Sequence, residues 1–218
     1  MIHVAVILVA GGKGVRFGTT IPKQFLPLGD KPVARHSFDL FQQMPGVQEV
    51  IVVCSEFYQK FFPEGTKFAS PGDRRQDSVW NGLLEVTSNP DYICVHDAAR
   101  PLVRIRDIQL AFEHVQELDA VALGVRMKST IKRCNHEGKV EETLPRENLW
   151  EVQTPQVIRT SLLRQAYAQN VADATRTDEL SLVEAMGHPV YLVAGDYRNL
   201  KITTPEDVDL AQMWLSAP

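Results

Sequence analysis

Short runs of consecutive apolar, β-branched residues alternate along this chain with longer segments of helical period. That alternation admits little besides a parallel sheet covered by helices. The runs are Ile2 to Val9, Glu49 to Cys54, Tyr92 to His96, Ala120 to Val125 and Val190 to Val193. Most are apolar at successive positions, which predicts strands shielded on both faces. Between them, apolar residues three and four apart mark helices: Val33, Leu40, Phe41 and Met44; Val79, Leu83 and Val86; Ile108, Ala111, Phe112, Val115 and Leu118. Pro45-Gly46 and Gly187 supply stops. Thr204-Pro205-Glu206-Asp207 opens a last helix with a cap residue, a proline at the first helical position and an acid at the third.

One stretch breaks this rhythm. Ser129 to Arg133 and Lys139 to Leu144 read as two strands joined around Asn135, Glu137 and Gly138. A lone hairpin is barely stable in water, so an arm over residues 126–148 is expected to pack on a second copy of the chain, the alternative being an edge of its own sheet. With 218 residues against about 150 per domain, the expectation is one domain, residues 1–218. Its expected fold is α/β: a Rossmann-like, mostly parallel sheet with flanking helices and a protruding β-hairpin arm.

The balance of 23 basic against 27 acidic residues gives a net charge of -4, which disfavours a nucleic-acid-coating protein and requires any anion site to be built locally. Cys54, Cys94 and Cys134 are far apart and lack partners at metal-ligand spacing, excluding a disulfide framework and a zinc knuckle. The early apolar run falls far short of the roughly 20 residues of a membrane span, and no basic segment precedes it. A soluble, cytoplasmic protein without membrane or nucleic-acid partners is expected.

The first strand runs into Ala10-Gly11-Gly12-Lys13-Gly14-Val15-Arg16-Phe17-Gly18. Glycines there let backbone N–H groups approach a ligand and form a nest for phosphate oxygens, at the edge where open α/β sheets bind ligands. Both standard phosphate motifs fail: Lys13 precedes Gly14 with no Ser or Thr after it, and Phe17 stands where a dinucleotide fingerprint needs glycine. Arg16 and Lys23 nevertheless bring two cations to the nest, as a triphosphate requires; a solvated basic turn is the bland alternative. A second loop, Ser70 to Ser78, enters a helix at Asp77 or Ser78, as a simple cap or as a loop that reads a base edge or a phosphate.

The third strand ends in His96-Asp97-Ala98-Ala99-Arg100-Pro101, which puts Asp97 at the carboxyl edge of the sheet. A single strand-end carboxylate beside a triphosphate nest suits Mg²⁺, with a turn-capping aspartate as the competing role. His96 reads as a hydrogen-bonded core residue rather than a general base, and no nucleophile–base pair stands out. Phosphoryl and nucleotidyl transfer need little such help, because positioning and charge neutralisation supply most of the acceleration. Lys201, in the β-like run Asn199 to Thr203, offers a further cation.

Taken in order, these motifs closely resemble the 2-C-methyl-D-erythritol 4-phosphate cytidylyltransferases of the non-mevalonate isoprenoid pathway. Ala10 to Arg16 with Pro22-Lys23-Gln24 matches the opening loop, Gly72 to Val79 the second loop, and His96 to Pro101 the sheet-end motif. Thr130 to Arg133, Arg146 with Leu149-Trp150, Thr154-Pro155-Gln156, Thr177-Asp178-Glu179 and Lys201-Ile202-Thr203 follow in sequence. The chain departs from the family at Gly11, where a second alanine is common, at Phe17, commonly methionine, and at Pro71, frequently glycine. The extra glycine is expected to loosen the first loop, and Pro71 to alter closure of the second.

The resemblance implies an enzyme that joins CTP and 2-C-methyl-D-erythritol 4-phosphate, releasing pyrophosphate. It implies catalytic phosphate contacts from Arg16, Lys23 and Lys201, and cytidine contacts from Ala10, Gly11, Gly12, Gly72, Asp73, Arg75 and Ser78. The acceptor pocket would comprise Asp97, Arg100, Thr130, Arg146, Thr154 and Thr177, with Asp97 also holding Mg²⁺ or another divalent cation. A homodimer through the arm would let Thr130 and Arg146 reach the partner's site. The rivals are a ribitol-5-phosphate cytidylyltransferase, differing only in acceptor, and a non-catalytic nucleotide sensor.

Overall fold

The computed structural model describes residues 2–12, 21–170 and 178–216. Seven strands form the central sheet: β1 (Val4–Val9), β4 (Val47–Val53), β5 (Lys67–Ala69), β6 (Tyr92–Asp97), β7 (Ala120–Arg126), β10 (Trp150–Arg159) and β11 (Tyr191–Ala194). Their order is β11-β7-β10-β6-β1-β4-β5. All neighbours pair in parallel except β10, which runs antiparallel to both β6 and β7. Two short strands, β2 (Pro27–Leu28) and β3 (Lys31–Pro32), pair separately.

Every residue of β1 from Val4 to Leu8 is fully buried, as a continuous apolar run requires. Val4, Val6 and Leu8 face one layer with Phe38 and Phe41 of α1 (Val33–Gln42) and Ile108, Phe112 and Val115 of α3 (Ile105–Leu118). Ala5 and Ile7 face the other, with Val79 and Leu83 of α2 (Arg75–Leu84), Leu163 of α4 (Thr160–Asn170) and Leu182 of α5 (Glu179–Glu184). Each such fully buried large side chain contributes about 1.5–3 kcal/mol. A smaller cluster of Leu28, Val33 and Ile202 packs with Ala211 of α6 (Pro205–Leu215). That helix opens with the expected box, Thr204 and Asp207 capping each other's backbone. Gly46 and Gly187 take left-handed backbone, φ +88° and +74°, where the two helical segments before them end.

The hairpin forms as β8 (Ile131–Cys134) and β9 (Val140–Leu144), a two-stranded sheet separate from the main one rather than an added edge. Its residues are almost all exposed. Besides the short β2, β3 and β5, which no apolar run marks, two strand assignments need correction. The ten-residue β10 escaped the sequence reading because Gln153, Pro155 and Gln156 interrupt its apolar pattern; those glutamines are buried but hydrogen-bonded. Residues 199–203, expected to be β-like, form no strand: the Ile202 N–H is instead taken by the Ala99 carbonyl at 2.8 Å. The three cysteines are free thiols, and among the described residues no helix is long and apolar enough to cross a membrane.

Candidate active site

Because β1, β4 and β6 are mutually parallel, their carboxyl ends lie along one edge of the sheet. Asp97 ends β6 there, 6% exposed. The chain then turns, the Arg100 N–H donating to the Asp97 carbonyl at 2.9 Å. The bond from Ile202 to Ala99 lays the 199–203 segment against this turn, bringing Lys201 Nζ within 2.6 Å of Asp97 Oδ2. From the other side Arg75, in the first turn of α2, donates its Nε to Asp97 Oδ1 at 3.0 Å. Its Nη1 meets both oxygens of Glu179 at 2.8 and 2.6 Å.

Glu179 is completely buried at the start of α5. That helix start is tied to β10: Gln156 Oε1 accepts the Glu179 and Leu180 N–H groups, and Gln156 Nε2 donates to Asp178. Two segments remote in sequence, α2 and 199–203, thereby converge on one carboxylate, and α5 backs the first of them through Glu179. Burial works against the charge of Asp97, but the Arg75 guanidinium and the Lys201 ammonium hold its carboxyl far below the usual carboxylate range. Arg100 is also close enough to favour the Asp97 charge. Its Nη1 donates to the Asn199 carbonyl at 2.7 Å, and its Nε is buried with no hydrogen bond among the described residues. Three cations, Arg75, Arg100 and Lys201, thus stand around Asp97 and Glu179 at this edge, with Glu151 and Asp178 within electrostatic reach.

The glycine loop leaves β1 at the same edge. Ala10 N–H continues the ladder to Val53, and Gln24 Nε2 donates to the Ala10 and Gly12 carbonyls at 3.2 and 3.1 Å. Lys23, adjacent to Gln24 in a short 3-10 turn, is half-buried beside this loop. The second loop is braced from α2. Ser78 Oγ accepts the Gly72 N–H at 3.0 Å and donates to the Arg74 carbonyl at 3.2 Å. Asp77 sits at the third helical position and accepts the Arg74 N–H, so the helix begins at Arg75, before the expected Asp77 or Ser78. Asp73 is exposed on the loop.

Two of the expected site residues, Arg75 and Thr154, are engaged by the protein itself. Arg75, expected at the cytidine, commits its guanidinium to Asp97 and Glu179. Thr154, expected in the acceptor pocket, is 4% exposed and serves the protein: its oxygen accepts the Asp97 N–H at 3.0 Å and lies 3.0 Å from His96 Nδ1. Thr130 and Arg146 lie exposed on or beside the arm, Arg146 donating to the Lys128 carbonyl. Arg16 and Thr177 fall outside the described residues. Glu179, Gln156 and Asn199 have no role legible in the sequence, although Gln156 and Glu179 stand within the motifs Thr154-Pro155-Gln156 and Thr177-Asp178-Glu179.

As a metal ligand Asp97 fits poorly, since each of its oxygens already accepts from a cation. Among the described residues no three His, Cys, Asp or Glu side chains converge as a metal site. A hard divalent ion needs carboxylate oxygens that no cation already holds.

A glycine loop and a cation-flanked carboxylate at the carboxyl edge of a largely parallel sheet define an α/β site for phosphorylated ligands. The family model described as IspD, 2-C-methyl-D-erythritol 4-phosphate cytidylyltransferase, matches residues 4–217, and the chain belongs to this family of CTP-dependent nucleotidyltransferases. It is 45% identical over 218 residues to the chloroplastic 2-C-methyl-D-erythritol 4-phosphate cytidylyltransferase of Oryza sativa subsp. japonica, covering 96% of this chain and 73% of the relative. It is 41% identical to the Chlamydia pneumoniae enzyme of that name, covering 99% and 100%. Among solved structures, the Francisella tularensis enzyme superposes with TM-score 0.83 at 30% identity, covering 97% of this chain and 99% of that one.

Proposed function

We propose that this chain transfers the cytidylyl group of CTP to the phosphate of 2-C-methyl-D-erythritol 4-phosphate, giving 4-diphosphocytidyl-2-C-methyl-D-erythritol and pyrophosphate. The observation that carries this reading is the buried Asp97, held between the cations Arg75 and Lys201, beside a glycine loop braced by Gln24. An acceptor phosphate oxygen attacks the α-phosphorus of CTP. The new P–O bond forms as the bond to the bridging α,β-oxygen breaks, and pyrophosphate leaves with that electron pair. The attacking oxygen is already anionic near neutrality, so no general base is needed.

In this reading Arg16, Lys23 and Lys201 neutralise the phosphates. Ala10, Gly11, Gly12, Gly72, Asp73 and Ser78 form the cytidine slot, to which Arg75 contributes by fixing Asp97. Asp97, Arg100, Thr130, Arg146 and Thr177 receive the acceptor, and Thr154 acts on it through Asp97. Magnesium or another divalent ion enters as the CTP complex, ligated mainly by phosphate oxygens. The protein works in the cytoplasm as a homodimer. The exposed arm, residues 126–148 of a single domain 1–218, supports that assembly by presenting Thr130 and Arg146 to a second copy.

The test is turnover of CTP with 2-C-methyl-D-erythritol 4-phosphate or ribitol 5-phosphate, following pyrophosphate and the nucleotide product. Product from the methylerythritol phosphate is expected; exclusive use of ribitol phosphate, or silence with both, overturns the assignment.

A further inference from the structure

Gly11 and Pro71 belong to loops that leave strands separated by β4 in the sheet, and so start about 10 Å apart. They nevertheless meet. A Cβ built on Gly11 would fall on Pro71 Cβ, far inside van der Waals contact, with Pro71 Cα and Cγ each 3.4 Å away. The proline therefore occupies the space that any other residue at position 11 would need.

Both loops are braced where they meet. The glycine loop is held on both sides of Gly11, because Gln24 Nε2 donates to the carbonyls of Ala10 and Gly12. The second loop is held on both sides of Pro71: Asn81 Nδ2 donates to the Ser70 carbonyl at 2.9 Å, and the Gly72 N–H donates to Ser78 Oγ at 3.0 Å. Beneath them the ladder is continuous, from Ala10 N–H to Val53 and from Cys54 N–H to Ala69. Two braced loops thus touch at one point above the end of β4. A side chain at position 11 would have to push them apart by about an ångström to restore ordinary contact between carbons.

We propose that the Gly11–Pro71 contact is a positioning latch that fixes the spacing of the two loops and thereby the fit of CTP. Pro71 acts through the loops rather than through the reacting atoms. The proposal rests on the functional reading above, since it concerns the slot between those loops. A shift of about 1 Å in a binding site can cost up to a hundredfold, and a single added carbon commonly costs tenfold or more.

The experiment is a set of substitutions read by CTP titration, acceptor titration and thermal unfolding. Gly11→Ala is expected to raise KM for CTP about tenfold or more, with a much smaller effect on KM for the acceptor. Adding Pro71→Gly, which removes the obstructing Cβ, recovers most of the loss; adding Pro71→Ala, which keeps it, does not. Pro71→Gly alone, which opens the latch, raises KM for CTP more than Pro71→Ala alone. If Gly11→Ala is insoluble, the double variant with Pro71→Gly and the two single Pro71 variants carry the test: a soluble double variant with a KM for CTP below that of Pro71→Gly alone supports the latch, and one with an equal or higher KM overturns it. Additive effects of positions 11 and 71 on KM, equal rescue by glycine and alanine, or coupling in thermal stability without coupling in KM for CTP would each overturn the latch. A wild-type protein inactive with both acceptors instead removes the functional reading, so the two failures are distinguishable.

Discussion

Thr154 and His96 settle each other's protons. His96 Nε2 lies 3.1 Å from the Arg100 carbonyl, which only accepts, so the ring proton sits on Nε2 and Nδ1 is the acceptor. The Thr154 hydroxyl, 3.0 Å from Nδ1, therefore donates to it, while its oxygen receives the Asp97 N–H. A histidine without acid–base work thus shapes the turn that carries Asp97 and Arg100.

Replacing Thr154 by valine preserves its shape but strands both the His96 nitrogen and the Asp97 N–H. Denaturant unfolding should show a loss of about 1–3 kcal/mol, and Thr154→Ser should retain most of the stability. A Thr154→Val protein as stable as wild type would contradict this pairing.

Burial lowers the His96 pKa to about 4 from its ordinary 6.5, with the Arg100 carbonyl opposing the shift. The unfolded chain therefore binds more protons between these values, and stability falls as pH drops. The contribution is complete above about pH 6.5 and is lost on descending towards pH 4, on the order of 3 kcal/mol in all. Comparing unfolding of wild type and His96→Gln from pH 8 to 4 should show a shallower acid limb in the variant.

Glu179 is the bidentate partner of Arg75 and has no access to solvent. Glu179→Ala leaves the guanidinium partly unpaired inside the protein, a change that typically costs about 3–5 kcal/mol. Chemical denaturation measures that cost. An effect below 1 kcal/mol would mean that the pair behaves as a surface ion pair.

Lys201 neutralises Asp97 in the free protein and is proposed to turn to phosphate during reaction. Lys201→Ala should lower kcat by about a hundredfold, the usual worth of one preorganised charge donor, and Lys23→Ala similarly. Steady-state kinetics checks both; near-normal kcat in either variant removes that residue from the catalytic set.

At Gly82, in α2, a Cβ would lie 2.6 Å from Ile7 Cγ2 and 3.0 Å from Val53 Cγ2. Overpacking against the sheet outweighs the gain in helix propensity, so Gly82→Ala should lower stability by about 1–2 kcal/mol. Thermal or urea unfolding measures it; a stabilised variant would mean that helix and sheet are not in tight contact there.

The sequence alone determined five of the six parallel strands, most of the helices between them, the hairpin and the family, because hydrophobic period and local motifs are properties of neighbouring residues. It also brought Asp97 to the carboxyl edge, since a run from Tyr92 to Val95 ending in a carboxylate has that meaning wherever the strand lies. Only the tertiary structure decided what Asp97 touches. Strand order carries α2, α5 and the 199–203 segment to one point, so Arg75, Glu179 and Lys201 become partners although nothing local links them. The same holds for β10, whose buried glutamines look exposed until their hydrogen bonds are known, and for Gly11 and Pro71. Contacts between remote segments arise from packing in three dimensions, and one chain read along its length holds no measure of that distance.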